Sequence, residues 1–112
     1  MTDCIFCKIV AGDIPSNKVY EDDQVYAFKD ISPKAAVHLL LIPKIHIDSL
    51  DNLLGQHQTL LGHMMLKLSE LAKSQGLNNG FRTIINTGPD GGQEVDHLHM
   101  HILGGKGLAK FN

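Results

Sequence analysis

The chain has 112 residues, enough for one compact domain, because a division into two would leave each half too small for a sufficient hydrophobic core. Its formal net charge is −2 and its lysines are scattered singly, so no basic stripe is present and polymeric nucleic acid is not an expected partner. Apolar residues make up 43% of the chain, and no apolar run approaches the roughly 20 residues of a membrane span.

The N-terminal segment predicts a short helix and no export signal. Residues 1–4 lack a basic region followed by an apolar stretch, so a cytoplasmic location is expected. Cys4 to Val10 has the length of a short helical segment, which Gly12 and Pro15 bring to an end.

Three β-rich segments follow. Val19–Glu21 and Val25–Phe28 flank Asp22-Asp23, a pattern that predicts an antiparallel hairpin. Val37–Ile42 is short, continuous and apolar, as expected of a buried central strand.

The second half of the chain predicts one long helix and two more strands. The helix runs from about Leu54 to Gln75, and Gly76 stands where a left-handed residue would end it. Phe81–Asn86 and Val95–Leu103 read as strands separated by a glycine-rich loop. Because strands and helices do not alternate, the prediction is an α+β domain over residues 1–112, with a mainly antiparallel sheet, one long helix and a short N-terminal helix.

The most informative segment is His97-Leu98-His99-Met100-His101. On a strand, alternate side chains share a face, so the three imidazoles stand together while the intervening apolar residues face the core. The loop before it contains Gly91-Gly92-Gln93, whose backbone N–H groups can approach an anion closely. Phosphate-binding donors next to potential nucleophiles indicate phosphate chemistry, although three ligands of a single metal ion are an alternative interpretation.

These motifs, in their order, are similar to those of a known family. The H-x-H-x-H segment, the preceding Gly-Gly-Gln, and Phe28–Pro33 resemble the histidine triad (HIT) family and its Hint branch, and the match extends from Ile5 to Gly105. The resemblance implies a HIT-like fold, a homodimer, and a bound purine nucleotide such as AMP or GMP.

The family's reaction suits imidazole chemistry. The resemblance implies that His99 attacks the α-phosphorus of a purine nucleoside 5′-phosphoramidate and carries the nucleotide as a covalent intermediate. Imidazole is a nucleophile that is largely neutral near pH 7 and also a fair leaving group in the second step. His101 and the Gly92–Glu94 N–H groups would stabilise the developing charge. His97 and, from an adjacent strand, His38 complete the catalytic set that the resemblance implies.

The resemblance also implies a nucleotide pocket, in which Asp30 binds the ribose hydroxyls. One departure is that Glu94 stands where animal members have a serine, and another is that the tail 107–112 lacks their Trp-Pro-Pro, with Phe111 as a possible replacement. The implied nucleotide-binding residues are Phe6, Ile9, Phe28, Asp30, Ile31, Asn86, Gly92, Gln93, Glu94, Val95, His99 and His101.

The pair Cys4-x-x-Cys7 has metal-ligand spacing but supplies only half of a tetrahedral zinc site. The resemblance implies His46 and His97 as the other two ligands, and four protein ligands would make the zinc structural. A redox dithiol and two buried thiols are the alternatives.

The sequence thus predicts a phosphoramidate hydrolase that releases a nucleoside monophosphate. Two other functions remain open. One is a dinucleoside polyphosphate hydrolase of the same family, with the same histidine and a different leaving group. The other is a nucleotide-binding regulatory or scaffold protein in which turnover is incidental.

Overall fold

The computed structural model describes residues 3–109, which form five strands and two α-helices. All neighbouring strands are antiparallel, and the sheet has the order β1-β2-β3-β5-β4. This arrangement confirms the predicted α+β class and the predicted hairpin. The elements are α1 (Ile5–Ala11), β1 (Lys18–Glu21), β2 (Val25–Lys29), β3 (Val37–Pro43), α2 (Gln58–Ser74), β4 (Arg82–Ile84) and β5 (Met100–Gly104).

The long helix α2 covers one face of the sheet. It begins four residues later than predicted, at Gln58, after a 3-10 turn over Gly55–His57. Its end is the predicted glycine: Gly76 has φ +83°, and the N–H groups of Gly76 and Leu77 donate to Lys73 and Ala72, which satisfies the last carbonyls. The buried cluster between helix and sheet contains Val25, Ala27, Leu39, Leu41, Ile47, Leu60, Met64, Leu68, Leu71, Ala72, Leu77, Leu98, Met100 and Ile102.

The short helix α1 covers the opposite face. Its first turn is capped by Cys4, whose sulphur accepts the Cys7 N–H, and Gly12 at φ +84° ends it. The apolar side chains Phe6 and Ile9 of this helix are buried against the sheet. Their buried neighbours on β2 and β3 are Tyr26, Phe28, Leu40 and Ile42.

The predicted strand over 95–103 is shorter in the structure, because β5 begins only at Met100. The ladder between β3 and β5 ends at the pair Leu41 and Met100, and the N–H of Leu98 donates instead to the carbonyl of Ile47, beyond the end of β3. His97 and His99 therefore lie in the segment just before β5 and not within the strand. The predicted apolar face nevertheless continues through this segment, since Leu98, Met100 and Ile102 all belong to the cluster under α2, although His97 and His99 are buried as well.

Within residues 3–109, neither helix has the length and apolar character needed to cross a membrane.

Asp22 links the predicted hairpin to α2. One carboxylate oxygen accepts the N–H groups of Gln24 and Val25, and the other accepts the Tyr20 hydroxyl and lies 2.7 Å from His63 Nε2. Burial opposes ionisation, but these hydrogen bonds hold the pKa of Asp22 well below its usual range.

We expect Asp22→Ala to lower the free energy of unfolding by about 2 kcal/mol at neutral pH, because it leaves several donors without their acceptor. Urea denaturation measures this change. The adjacent Asp23→Ala is the matched control and should cost less than about 0.5 kcal/mol. Since the pKa of Asp22 is depressed, its stabilisation is present above about pH 4 and is lost in acid, so the two variants should converge there. Equal effects at neutral pH would contradict this role of Asp22.

Candidate active site

A cleft of about 310 Å³ opens on the face of the sheet that carries α1. It brings together nine of the residues predicted for the catalytic set or the nucleotide pocket. It also includes four that the sequence analysis did not single out: Lys34, Leu40, Ile84 and Leu103. The lining residues are Phe6, Asp30, Lys34, His38, Leu40, Ile84, Asn86, Gly92, Glu94, Val95, His99, His101 and Leu103.

His38 and His101 form a hydrogen-bonded pair at the cleft. The N–H of Lys34 donates to His38 Nδ1, which leaves the proton of the neutral His38 ring on Nε2. That Nε2 lies 2.9 Å from His101 Nδ1 and donates to it, so His101 carries its own proton on Nε2. The backbone of one loop thereby sets the tautomers of both rings, and His101 is a hydrogen-bond donor.

Both rings are uncharged at neutral pH. Burial lowers the pKa of His38, against the opposing effect of Asp30. Burial, together with the nearby His99 and His38 rings, lowers the pKa of His101 to about 4. The pair therefore keeps its arrangement of donors and acceptors through the physiological pH range.

His99 presents the opposite tautomer. Its Nδ1 lies 2.7 Å from the carbonyl oxygen of His97, a distance that requires the proton on Nδ1. Nε2 then bears the lone pair. The ring is 94% buried, since only 6% of the residue is exposed, and the edge of Phe6 packs against it at 5.2 Å between centroids. An imidazole that is fixed in place and has an available lone pair is the arrangement that a nucleophile needs.

The glycine-rich loop differs in detail from the prediction. Of the Gly92–Glu94 N–H groups, those of Gly92 and Gln93 are already used, because they donate to the carbonyls of Pro89 and Gly88. Within residues 3–109, the N–H groups of Glu94 and Val95 have no such acceptor, and both residues line the cleft. Of the three expected donors, only the Glu94 N–H remains available to an anion, and the Val95 N–H is available in addition.

Gln93 organises the loop rather than lining the cleft. Its side-chain oxygen accepts the Gly88 N–H, and its amide nitrogen donates to the carbonyls of Asp48 and Val95. The bond to Asp48 joins the loop to the segment that follows β3, and the other two hold the loop itself together. Asn86, which does line the cleft, donates to the carbonyl of Gly91 and so supports the same loop.

Four apolar residues predicted to bind the nucleotide, Phe6, Ile9, Phe28 and Ile31, are placed unequally. Phe6 lines the cleft, whereas Ile9 and Phe28 are buried beside it in the cluster under α1. Ile31 is 91% exposed and does not line the cleft in this structure. Phe111, suggested as a replacement for the family's tail, lies outside the described residues.

Beside the cleft, the four residues predicted as metal ligands meet. One donor atom from each of Cys4, Cys7, His46 and His97 lies within 4.8 Å of the others. Sulphur-to-nitrogen distances are 3.3 Å for Cys4 to His97, 3.3 Å for Cys7 to His46 and 3.5 Å for Cys7 to His97. Ligands around a tetrahedral zinc ion lie about 3.6 Å apart, so this set fits such an ion.

The two histidines of this cluster are oriented for metal binding. His97 Nε2 lies 2.9 Å from the carbonyl oxygen of Pro43, and His46 Nε2 lies 2.6 Å from the carboxylate of Asp48. Each ring donates through Nε2 and turns the lone pair of Nδ1 toward the cysteines. Such outer hydrogen bonds are the usual means by which proteins fix the tautomer of a ligating histidine.

Comparisons with known proteins identify related sequences over nearly the whole chain. The family model described as scavenger mRNA decapping enzyme C-term binding matches residues 3–111. Protein HitA of Neisseria gonorrhoeae is 61% identical over 104 residues, covering 93% of this chain and 97% of that protein. A purine nucleoside phosphoramidase of Escherichia coli K12 is 46% identical over 106 residues, covering 94% of this chain and 89% of that protein.

Solved structures show the same fold. A histidine triad protein from Clostridium difficile superimposes with a TM-score of 0.94 at 50% identity, covering 100% of this chain and 98% of that one. A HIT family hydrolase from Legionella pneumophila gives a TM-score of 0.92 at 42% identity, with 96% of each chain covered. With this degree of identity over nearly the whole chain, and with the three histidines arranged as described, the protein belongs to the histidine triad family.

Proposed function

We propose that the protein hydrolyses purine nucleoside 5′-phosphoramidates to the nucleoside monophosphate and an amine, with His99 as the nucleophile. The observation that carries this proposal is the tautomer of His99, whose Nδ1 proton is held by the carbonyl of His97 while Nε2 keeps its lone pair. The phosphoramidase of Escherichia coli, at 46% identity, supports the choice of a P–N bond.

The reaction has two balanced steps. His99 Nε2 attacks the α-phosphorus, the P–N bond breaks, and the amine leaves after taking up a proton from solvent. Water then attacks the phosphorus of the nucleotidyl-imidazole, the bond to Nε2 breaks, and the nucleoside monophosphate leaves with one proton released. Imidazole serves in both steps because it is a nucleophile in the first and a leaving group in the second.

The surroundings of His99 supply donors for the charge that develops on the phosphoryl oxygens. His101 donates through Nε2, since His38 occupies its Nδ1, and the N–H groups of Glu94 and Val95 lie in the same cleft. Donors that are held in place before the reaction stabilise a transition state without reorganisation. His38 therefore acts through His101, as a positioning residue.

The rest of the cleft suits a nucleoside. The Asp30 carboxylate can accept hydrogen bonds from ribose hydroxyls, and Phe6 and Leu40 offer apolar surface to a purine. AMP and GMP are the proposed products, and the base and sugar are bound by groups that take no part in bond breaking.

We expect His99→Ala to lose nearly all turnover of an adenosine 5′-phosphoramidate while still binding AMP, because a nucleophile contributes little to ground-state binding. His101→Ala should be less severe, with a loss of about 10²- to 10³-fold for one donor. Rapid quenching of the wild type should trap a nucleotide on His99 through a bond stable in alkali and labile in acid. Retention of more than about a tenth of the turnover in His99→Ala would exclude this nucleophile.

A parallel assay separates the alternatives. The phosphoramidate and a diadenosine polyphosphate are compared at equal concentration, and preference for the second would favour the polyphosphate hydrolase. A regulatory binding protein would bind AMP tightly and turn over neither substrate.

We further propose that Cys4, Cys7, His46 and His97 hold a structural zinc ion. When bound, zinc would cross-link α1 to the segments after β3 and before β5. All four positions are filled by protein, which leaves no place for an activated water.

Protein purified without chelator should contain one zinc per chain, measured by elemental analysis. The Cys4→Ala, Cys7→Ala double variant should lose the metal and unfold at a lower temperature, because metal-binding energy contributes to folding. His46→Ala should also lose metal, and His57→Ala is the matched control, since His57 stands outside the cluster. Metal-free wild-type protein would rule the site out.

We also propose a two-fold homodimer. β4 is an edge strand that pairs only with β5 in this sheet, and the buried hydroxyl of Thr83 on it has no hydrogen-bond partner within residues 3–109. Large apolar side chains are also exposed on α2, where Leu66 is 74% exposed and Met65 is 56% exposed. Exposed apolar surface and open strand edges are features that a second copy can cover.

Light scattering at micromolar concentration should give twice the mass of the chain. Introducing a charge by Leu66→Glu should lower that mass or raise the dissociation constant, whereas Lys73→Glu, on an exposed polar position of α2, should not. A wild-type monomer at this concentration would contradict the dimer.

A further inference from the structure

We propose that Glu94 determines the specificity of the site for the leaving group, favouring amines that carry an additional positive charge and disfavouring anionic ones. This proposal rests on the proposed function. It concerns the charge of the departing group, which the assignment of His99 leaves open.

Glu94 lines the cleft that contains His99, and its carboxylate is not neutralised there. Within residues 3–109 its side chain makes no hydrogen bond and no ion pair, and the residue is exposed. A ligand entering the cleft therefore meets the Glu94 carboxylate, which forms no ion pair with Lys34 or with any other cation in residues 3–109.

Two pairs of cleft residues also line other hollows, one pair at each. Asp30 and His38 also line a hollow with Lys29, whereas Glu94 and Val95 also line one of about 470 Å³. In the proposed reaction, Asp30 binds the sugar of the nucleotide. The group on the other side of the phosphorus then extends toward Glu94.

The hollow beyond Glu94 is negative in character. Asp3, Asp48 and Asp96 contribute carboxylates to it, and no lysine or arginine lines it. Cys4 and His46 also line it, and the charge of the zinc ion proposed at these residues would be balanced by the thiolates of Cys4 and Cys7. His46 faces Asp48 at 2.6 Å. The cation of the main cleft, Lys34, does not extend into this hollow. An amine with a second, protonated nitrogen is attracted on this side, and a carboxylate or polyphosphate is repelled.

The size of the effect follows from Coulomb's law. A pair of opposite unit charges about 4 Å apart in a water-like dielectric changes a rate by about fivefold, and salt reduces the effect. The charge of Glu94 acts on the departing group both in the bound substrate and while the P–N bond breaks. The change is therefore expected in kcat/KM.

The test uses three adenosine 5′-phosphoramidates that differ only at the end of the amine substituent: N-propyl, N-(3-aminopropyl) and N-(2-carboxyethyl). For the wild type at low ionic strength we expect kcat/KM to rise about fivefold from neutral to cationic and to fall about fivefold from neutral to anionic. Glu94→Gln should bring both kcat/KM ratios, cationic to neutral and anionic to neutral, toward one, and Glu94→Lys should reverse them. Added salt should bring the wild-type ratios closer to one.

Asp90→Asn is the matched control, since Asp90 is exposed in the same loop and lines neither the cleft nor the hollow beyond Glu94. It should keep the wild-type ratios, and thermal unfolding checks that every variant is folded. Ratios unchanged in folded Glu94→Gln and Glu94→Lys, with the neutral substrate still hydrolysed, would overturn the role of Glu94 alone. Absence of turnover of all three substrates by the wild type would overturn the proposed function and this proposal with it.

Discussion

The antiparallel pairing of β3 with β5 is the constraint on which the site depends. Its register sets Leu40 opposite His101 and His38 opposite Leu103, so the two histidines are diagonal neighbours on one face of the sheet. Their rings come within 5.2 Å between centroids and share a hydrogen bond. A shift of either strand by one residue would turn the histidine of that strand into the apolar core under α2, which would bury a polar group without its partner.

The end of that pairing is equally important. The residues that precede Met100 do not pair with β3. The carbonyl of His97 is therefore free to accept a hydrogen bond from His99 Nδ1. The ring of His97 lies in the cluster with Cys4 and Cys7. His97 thus belongs to the Cys/His cluster through its side chain and contacts the proposed nucleophile through its backbone.

Neutral histidines give the cleft its chemical character. Burial disfavours the charged form of the His38 and His101 rings. The Lys34 N–H donates to His38 Nδ1, and His38 Nε2 donates to His101 Nδ1. Such a chain positions His101 as a donor without placing a positive charge in the site. The charged groups that do line the cleft, Asp30, Lys34 and Glu94, are carried on exposed or half-buried residues at its margins.

The sequence by itself determined the class of the fold, the hairpin, the central strand, the end of α2 at Gly76 and the four residues of the Cys/His cluster. These features follow from local rules: alternation along strands, helical periodicity, glycine at a positive φ, and ligand types recognised through a family resemblance. Tertiary structure alone decided that His97 and His99 precede β5, that the free loop N–H groups belong to Glu94 and Val95, that Gln93 supports the loop, and that Ile31 faces solvent. It also brought Lys34 into the cleft and linked His63 to Asp22. Each of these depends on where distant backbone segments, such as Ile47 and Pro43, offer their carbonyl groups, and no pattern of neighbouring residues encodes that placement.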